Sequence, residues 1–226
     1  MMPAATAPLL TGLPLAYRLV NPETAGHVQR LLLVLHGVGS NEVGMLPVGQ
    51  ALADEHTLVL LVQAPLPLGP NAFGFYQVDF STGKPEYNRA QQEASQQQLT
   101  QFIDEATARY GVVAGQVYLL GFSQGAIMAY AVALRTPALV AGVLGFSGRM
   151  LAESRQHHAP AEQVQRVRFF ISHGSHDTTL PAIYATEAVD FLRSLGIEAH
   201  YEAFAGAHEI PAASLAAARH WLAAKS

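Results

Sequence analysis

Short apolar runs alternate along the chain with longer segments of mixed polarity. Five of these runs are almost continuously apolar, which is typical of strands covered on both faces. They span residues 30–35, 57–62, 117–120, 140–146 and 167–171. Two further segments, 15–20 and 199–204, resemble strands nearer the edge of a sheet.

The segments between the strands show helical spacing. In residues 85–110, the apolar positions that share one helix face are Leu99, Phe102, Ile103, Ala106 and Tyr110. Gly111 follows directly, as expected at a helix end. Further helices are predicted for "AIMAYAVAL" before Pro137, for 181–195 and for 211–224. This alternation predicts an α/β fold with a mostly parallel central sheet and helices on both faces.

Length and composition restrict the interpretation. The 226 residues, 50% of them hydrophobic, suffice for one sizeable core, so residues 1–226 are expected to form a single domain. The 13 Lys+Arg and 17 Asp+Glu give a net charge of -4 without a basic stripe, which argues against nucleic acid as a partner. The absence of cysteine excludes disulfides, thiolate metal sites and a cysteine nucleophile.

The N-terminal segment has no cation before Arg18 and is too short to span a membrane. We therefore expect a cytoplasmic location and no stable membrane insertion. The sequence leaves the oligomeric state open and allows a homodimer.

One short motif indicates chemistry. The sequence "GFSQG", residues 121–125, lies between a predicted buried strand and a predicted helix. A nucleophile elbow has this arrangement, because its strained turn brings the backbone close to the neighbouring strand and helix and so requires small flanking residues. Ser123 is therefore a candidate nucleophile. A glycine-rich turn with an incidental serine stays an alternative at this point.

A serine nucleophile needs a base, and the base needs a carboxylate to orient it. In this type of fold the acid and then the histidine follow the serine, each on a loop after a strand. Asp177 follows the strand predicted at 167–171, and His208 follows the segment 199–204. Both residues thus fall at suitable places. Asp177 has a second interpretation as the N-cap of the helix beginning near Pro181, and the two roles are compatible.

The chain contains ten histidines, so residues other than His208 could also serve as the base. His36 is expected to support the turn after its strand. His173 and His176 flank the proposed acid and are out of order for a base, so structural hydrogen bonding is expected of them. His157 and His158 lie in a polar connection, where a solvated loop is favoured over a metal pair.

Acyl transfer also requires N–H donors for the oxyanion. The backbone N–H of Gln124, directly after the serine, is one candidate. The other is the N–H of Val38 in the loop "LHGVGSNE", where Gly37 and Gly39 let the backbone turn over the strand ends. An ordinary glycine-rich turn or a phosphate loop is the alternative, but the spacing fits neither the dinucleotide fingerprint nor the P-loop.

Four segments together resemble the phospholipase/carboxylesterase branch of the α/β-hydrolases, which includes the acyl-protein thioesterases. They are "LLLVLHGVGSNE", "LLGFSQGAIMAYAVAL", "ISHGSHDTTLP" and "AGAHEI", and the resemblance extends from about residue 30 to residue 221. It implies an α/β-hydrolase fold with Ser123 as nucleophile, Asp177 as acid and His208 as base. It also implies Val38 and Gln124 as oxyanion donors. Phe75 stands where these enzymes often have tryptophan.

The expected activity is that of a serine esterase, which hydrolyses small carboxylic esters through an acyl-enzyme. No metal or organic cofactor is implied. An acyl-protein thioesterase or a lysophospholipase would use the same machinery. A non-catalytic binding protein of this fold is less favoured, because all triad members and the oxyanion glycines are present.

The connections indicate a small substrate. Only residues 147–166 separate two core strands, and this polar segment with one short helix cannot form a large cap domain. The segment 63–84 supplies apolar and aromatic groups. We therefore expect a shallow, open groove with Phe75 and Tyr76 as walls and Leu180 beside Asp177. Such a groove favours short, water-soluble esters.

Overall fold

Strands and helices alternate through residues 7–21, 23, 28–79, 86–113 and 115–224, which the computed structural model describes. The strands are β1 (Tyr17–Leu19), β2 (Arg30–Leu35), β3 (Thr57–Val62), β4 (Leu66–Gly69), β5 (Ala72–Gly74), β6 (Val78–Asp79), β7 (Glu86–Tyr87), β8 (Val117–Phe122), β9 (Gly142–Phe146), β10 (Arg168–Gly174) and β11 (His200–Phe204). The helices are α1 (Leu46–Leu52), α2 (Arg89–Tyr110), α3 (Gln124–Arg135), α4 (Ala152–Gln156), α5 (Ala161–Val164), α6 (Ile183–Ser194) and α7 (Ala212–Ala223).

Seven strands form one sheet in the order β1-β3-β2-β8-β9-β10-β11. Strand β1 pairs antiparallel with β3, and the other neighbouring pairs are parallel. The two segments that resembled edge strands, β1 and β11, do lie at the edges. The prediction of a mostly parallel α/β-hydrolase sheet is confirmed.

Strand β2 shows why the central strands are apolar throughout. Leu31 and Leu33 belong to the core cluster on one face of the sheet, whereas Leu32 and Val34 belong to the cluster on the other. All four side chains are fully buried. Burying a leucine or valine side chain contributes about 1.5–3 kcal/mol, so a polar residue at any of these positions would be costly.

The long helix α2 ends where the sequence predicts. Gly111 follows it in the left-handed conformation, with φ of 65°, and its N–H donates to the Thr107 carbonyl. The helix begins at Arg89, because the side chain of Asn88 accepts the N–H of Gln91 and caps it. Pro85, the first residue of the segment with helical spacing, lies outside the described residues.

Several elements were not predicted. Helix α1 contains Pro47 and Gly49, which are poor helix formers, so its sequence does not indicate a helix. A Cβ on Gly49 would lie 2.8 Å from the Leu61 side chain, and glycine therefore lets α1 pack closely on the sheet. The hairpins β4-β5 and β6-β7 consist of strands of two to four residues, which are too short to show alternation.

The connection between β9 and β10 contains two short helices, α4 and α5, where the sequence indicated one. They are five and four residues long, and no large cap domain is formed there. None of the described helices combines the length and the apolar character needed to cross a bilayer.

Candidate active site

The carboxyl ends of the central strands meet at one edge of the sheet. Phe122 on β8 pairs with Phe146 on β9, and Phe146 pairs with Ser172 on β10. Strands β8 and β10 extend two and three residues beyond their predicted ends, toward this edge. The loops that follow β8, β10 and β11 carry Ser123, Asp177 and His208.

Ser123 lies on a strained turn between β8 and α3. Its φ of 53° and ψ of -117° are unusual for a residue other than glycine, and such strain costs of order 1–3 kcal/mol. A Cβ on Gly121 would overlap the backbone of Gly125 and Ala126, and a Cβ on Gly125 would overlap the Leu35 carbonyl. Packing thus requires glycine on both sides of the serine, which favours a nucleophile elbow over an incidental turn.

Asp177 and His208 are joined by a short hydrogen bond. Asp177 Oδ2 lies 2.7 Å from His208 Nδ1, and Asp177 Oδ1 accepts the backbone N–H groups of Thr179 and Leu180 at 2.9 and 2.8 Å. Burial by itself would raise the pKa of Asp177, but these hydrogen bonds outweigh it and lower the pKa. The ionised carboxylate therefore holds the proton of His208 on Nδ1 and leaves Nε2 as an acceptor.

The carboxylate caps a turn and not a helix. Helix α6 begins at Ile183 and its N-cap residue is Ala182, well beyond Asp177. Asp177 is therefore not the N-cap of this helix. The two backbone N–H groups bound to Oδ1 instead fix the turn of residues 177–180.

His208 also contacts the strand that leads to the nucleophile. Its ring lies 4.8 Å from the ring of Phe122, measured between centroids, and Phe122 directly precedes Ser123. Ser123 Oγ and His208 form no hydrogen bond within the described residues. Catalytic hydrogen bonds are often long until a substrate is bound.

His173 packs beside Asp177 and helps to hold its loop. It is fully buried, and its Nε2 lies 2.7 Å from the Leu180 carbonyl oxygen and 3.3 Å from Asp177 Oδ2. Its Nδ1 is buried with no hydrogen-bond partner among the described residues, so the proton is on Nε2. The expected structural hydrogen bonding of His173 is confirmed. His176 is exposed, and its backbone N–H donates to the Gly206 carbonyl.

His36 holds the loop after β2. Its Nδ1 donates to the Gly37 carbonyl at 2.8 Å, and its Nε2 accepts the Ala64 N–H at 3.0 Å. Burial lowers the pKa of His36, in keeping with a neutral ring. The Gly37 carbonyl and the Val38 N–H belong to the same peptide unit, so this hydrogen bond also orients the Val38 N–H. The expected role of His36 in the turn is confirmed.

The loop after β2 and the start of α3 converge beside Ser123. A Cβ on Gly37 would lie 3.3 Å from Ser123 Cβ, and a Cβ on Gly74 would lie 3.3 Å from both Val38 Cγ2 and Gln124 Oε1. The N–H groups of Val38 and Gln124 donate no hydrogen bond within the part of the chain that the structure describes. Both are available to a ligand.

Phe75 and Tyr76 are placed differently from the expectation. They are 0% and 2% exposed, so they present almost no surface and do not form the walls of an open groove. Gln124 holds this segment, because its Oε1 accepts the Phe75 N–H and its Nε2 donates to the Tyr76 carbonyl, both at 2.8 Å. Leu180 is half-buried and lies beside Asp177 as expected.

A cavity of about 630 Å³ adjoins the loop of Val38. Val38 and Leu68 in its wall are 46% and 38% exposed, so an apolar surface faces solvent next to the two free N–H groups. Asp79 and Glu86, which pair across β6 and β7, also line it. A cavity of about 680 Å³ between α2, α3 and α4 contains none of the candidate site residues.

Two features at this edge of the sheet were not predicted from the sequence. The cavity wall around Leu68 and Tyr87 is built from short hairpins that left no clear pattern. Arg149 follows the carboxyl end of β9, a position analogous to those of Ser123 and Asp177, and that position alone could have identified it. Among the described residues, no group of three histidine, aspartate or glutamate side chains could hold a metal ion.

Comparison with known proteins gives consistent matches. A family model described as phospholipase/carboxylesterase matches residues 18–226. Esterase YpfH of Escherichia coli (strain K12) is 32% identical over 176 residues, which cover 74% of this chain and 70% of that protein. Acyl-protein thioesterase 1 of Emericella nidulans is 23% identical, with 74% of this chain and 77% of that protein covered.

A solved structure has the same fold. The crystal structure of a carboxylesterase from Mesorhizobium loti superposes with a TM-score of 0.82 and covers 97% of this chain and 100% of that chain. The two sequences are 24% identical. This likeness therefore concerns the architecture.

Proposed function

The chain belongs to the phospholipase/carboxylesterase family, and on that premise we propose that it hydrolyses carboxylic esters through Ser123, His208 and Asp177. The observation that carries this proposal is the 2.7 Å contact between Asp177 Oδ2 and His208 Nδ1, on loops that flank a serine with strained backbone. The similarity to Esterase YpfH, a relative named as an esterase, supports the same reaction.

The reaction begins at Ser123. His208 Nε2 takes the proton of Ser123 Oγ as the oxygen attacks the ester carbonyl carbon, and Asp177 stabilises the imidazolium that forms. His208 then gives this proton to the leaving alcohol oxygen as the C–O bond breaks, which leaves an acyl-enzyme. A water molecule gives a proton to His208 Nε2 as its oxygen attacks the acyl carbon. The bond between the acyl carbon and Ser123 Oγ then breaks, His208 returns the proton to Oγ, and the carboxylic acid leaves.

The Val38 and Gln124 N–H groups would bind the oxyanion in both steps. Gln124 is the first residue of α3, so its N–H has no partner within the helix and lies at the positive end of the helix dipole. Loss of one such donor typically raises the barrier by about 2.7–4 kcal/mol. His36 supports this role, because it fixes the peptide unit that contains the Val38 N–H.

The cavity beside Val38 favours a short substrate. Val38 and Leu68 form an apolar part of its wall, and the polar residues Gln77, Asn88 and Asp79 line the rest. A long alkyl chain would therefore meet polar groups. The short helices α4 and α5 provide no cap to cover such a chain. We therefore propose short, water-soluble carboxylic esters as substrates.

A chain-length series of p-nitrophenyl esters tests this proposal. We expect kcat/KM to be highest for the acetyl to butyryl esters, to fall for longer chains, and to show no jump when the substrate forms micelles. The Ser123→Ala variant should be inactive throughout. Turnover that climbs steadily to the palmitoyl ester would overturn the short-chain preference and favour a thioesterase or lysophospholipase.

A further inference from the structure

Arg149 lies at the catalytic edge of the sheet with its hydrogen-bonding capacity unused. It is half-buried, and its Nε is inaccessible to water with no hydrogen-bond partner. Within the described residues, its guanidinium donates no hydrogen bond and forms no ion pair. A buried donor without an acceptor is unfavourable, so an unpaired guanidinium at this place calls for an explanation.

The other half-buried arginines of the described chain are paired. They are Arg18 with Glu42, Arg30 with Asp54, Arg155 with Glu187, and Arg168 with the carbonyl oxygens of Trp221 and Ala224. Arg149 is therefore the exception among the half-buried arginines that the structure describes. It lies at the edge of the sheet where Ser123 and His208 also lie.

The segment that carries Arg149 runs between the nucleophile and the loop of the base. A Cβ on Gly148 would lie 3.5 Å from the Ser123 carbonyl oxygen. The hydroxyl of Ser147 lies 3.4 Å from the Glu209 carbonyl oxygen, and Glu209 follows His208. Arg149 is thus one residue from a contact with the elbow.

The guanidinium lies beside the helix that follows the acid loop. Its Cζ is 5.5 Å from the ring centroid of Tyr184, in the first turn of α6. Burial raises the pKa of Tyr76 and of Tyr87, and the positive charge of Arg149 opposes that effect at both hydroxyls. Tyr87 lines the cavity that begins at Val38. The charge of Arg149 therefore reaches a residue in the wall of this cavity.

One carboxylate near Arg149 is already engaged. Glu153 Oε2 accepts the hydroxyl of Tyr87 at 2.6 Å, and Glu153 Oε1 lies 3.9 Å from Arg89. The charge of Arg149 contributes to the lowered pKa of Glu153, after the larger effect of the Tyr87 hydrogen bond, but no direct ion pair forms. The two Nη groups of the guanidinium stay available to another anion.

Building on the proposed esterase function, we propose that Arg149 is a specificity-determining residue that binds a carboxylate carried by the ester substrate. The planar guanidinium fork matches a carboxylate with two parallel hydrogen bonds, which gives direction as well as charge. Esters that also carry a free carboxylate are of two kinds. If the carboxylate is on the acyl side, the substrate is a monoester of a dicarboxylic acid. If it is on the leaving group, the substrate is an ester of a carboxylated alcohol or phenol.

Two matched substrate pairs test the proposal and distinguish these sources. For the leaving group, 4-acetoxybenzoate is compared with 4-acetoxybenzamide. For the acyl side, monomethyl glutarate is compared with the methyl ester of its monoamide. In each pair the carboxylate is replaced by an uncharged carboxamide of similar size, and hydrolysis is followed by absorbance or by titration of the released acid.

We expect the wild-type protein to prefer the carboxylate in one pair by about tenfold or more in kcat/KM, mainly through a lower KM. Arg149→Gln should remove this preference, because it should slow the carboxylate far more than the carboxamide. Arg149→Lys keeps the charge but loses the fork, so it should retain part of the preference.

The proposal is overturned if the wild-type protein shows no preference in either pair, a comparison that requires no variant. It is also overturned if Arg149→Gln slows the carboxylate and the carboxamide equally. Failure of the esterase function itself would look different, because no member of either pair would be hydrolysed, or hydrolysis would survive Ser123→Ala.

Discussion

Asp177 Oδ2 and His208 Nδ1 lie 2.7 Å apart, while the other oxygen of the same carboxylate accepts two backbone N–H groups. The carboxylate is therefore held at both ends and cannot turn away from the imidazole. A histidine bound in this way keeps its proton on Nδ1. Its Nε2 is then free to accept a proton from a serine.

This arrangement predicts the effect of Asp177→Asn. The asparagine Oδ1 would keep the N–H groups of Thr179 and Leu180, which places the Nδ2 amide donor opposite His208 Nδ1. Two donors cannot face each other, so the imidazole proton should move to Nε2, where it blocks acceptance of the serine proton. We expect kcat to fall by about 10⁴. The measurement is kcat on p-nitrophenyl acetate, with thermal unfolding to show that the variant is folded.

Ser123→Ala provides the comparison, since it removes the nucleophile itself and should be at least as damaging. A folded Asp177→Asn protein with the activity of the wild type would show that Asp177 only caps the turn of residues 177–180.

The close packing around Gly125, one of the two elbow glycines, predicts that alanine is much less tolerated there than at Gly69, which lies outside the elbow. In Gly125→Ala the added Cβ would overlap the Leu35 carbonyl, and we expect a loss of about 3 kcal/mol or more in the free energy of unfolding, at the upper end of overpacking costs. In Gly69→Ala the nearest atom is Ala72 Cβ at 3.9 Å, so a change within about 0.5 kcal/mol is expected. Urea unfolding of both variants measures the difference. Equal stability of the two would contradict the packing that defines the elbow.

The burial of His36 leads us to predict that the stability of the protein depends on pH. Burial lowers its pKa in the folded state, whereas the unfolded chain has the ordinary value of about 6.5. As the pH falls below that value, the unfolded chain binds a proton that the folded protein does not, so the contribution of neutral His36 to stability is present above about pH 6.5 and lost below it. The loss is at most about 1.4 kcal/mol per pH unit.

The variant His36→Gln separates this effect from that of the other histidines. Glutamine does not titrate, so the difference in unfolding free energy between the wild type and the variant should shrink from about pH 8 to about pH 5. Denaturant titrations over this range give the difference at each pH. A difference that stays constant would show that His36 does not control stability through its protonation.

The sheet could be predicted from the sequence because its strands are buried on both faces. Leu31 to Leu35 form a continuous apolar run since alternate residues enter different core clusters, and a polar residue would interrupt either one. Helix α1 could not be predicted in the same way. Its Gly49 is explained by the close approach of the helix to Leu61 on β3, which no local pattern contains.

The candidate triad could be predicted for a related reason. Ser123, Asp177 and His208 each follow a strand, and parallel strands bring their carboxyl ends to one edge. The placement of Phe75 and Tyr76 could not, because an aromatic segment looks the same whether it lines a groove or fills a core. Here the side chain of Gln124 holds that segment inward with two hydrogen bonds.

The claim that Ser123 is an activated nucleophile has a direct test in labelling with a fluorophosphonate, which reacts only with a serine whose proton is removed by a base. We predict one adduct per chain by intact mass, located on Ser123 by peptide mapping. The adduct should be absent in Ser123→Ala and greatly slowed in His208→Ala. A folded wild-type protein that stays unlabelled, or equal labelling of Ser123→Ala, would contradict the account.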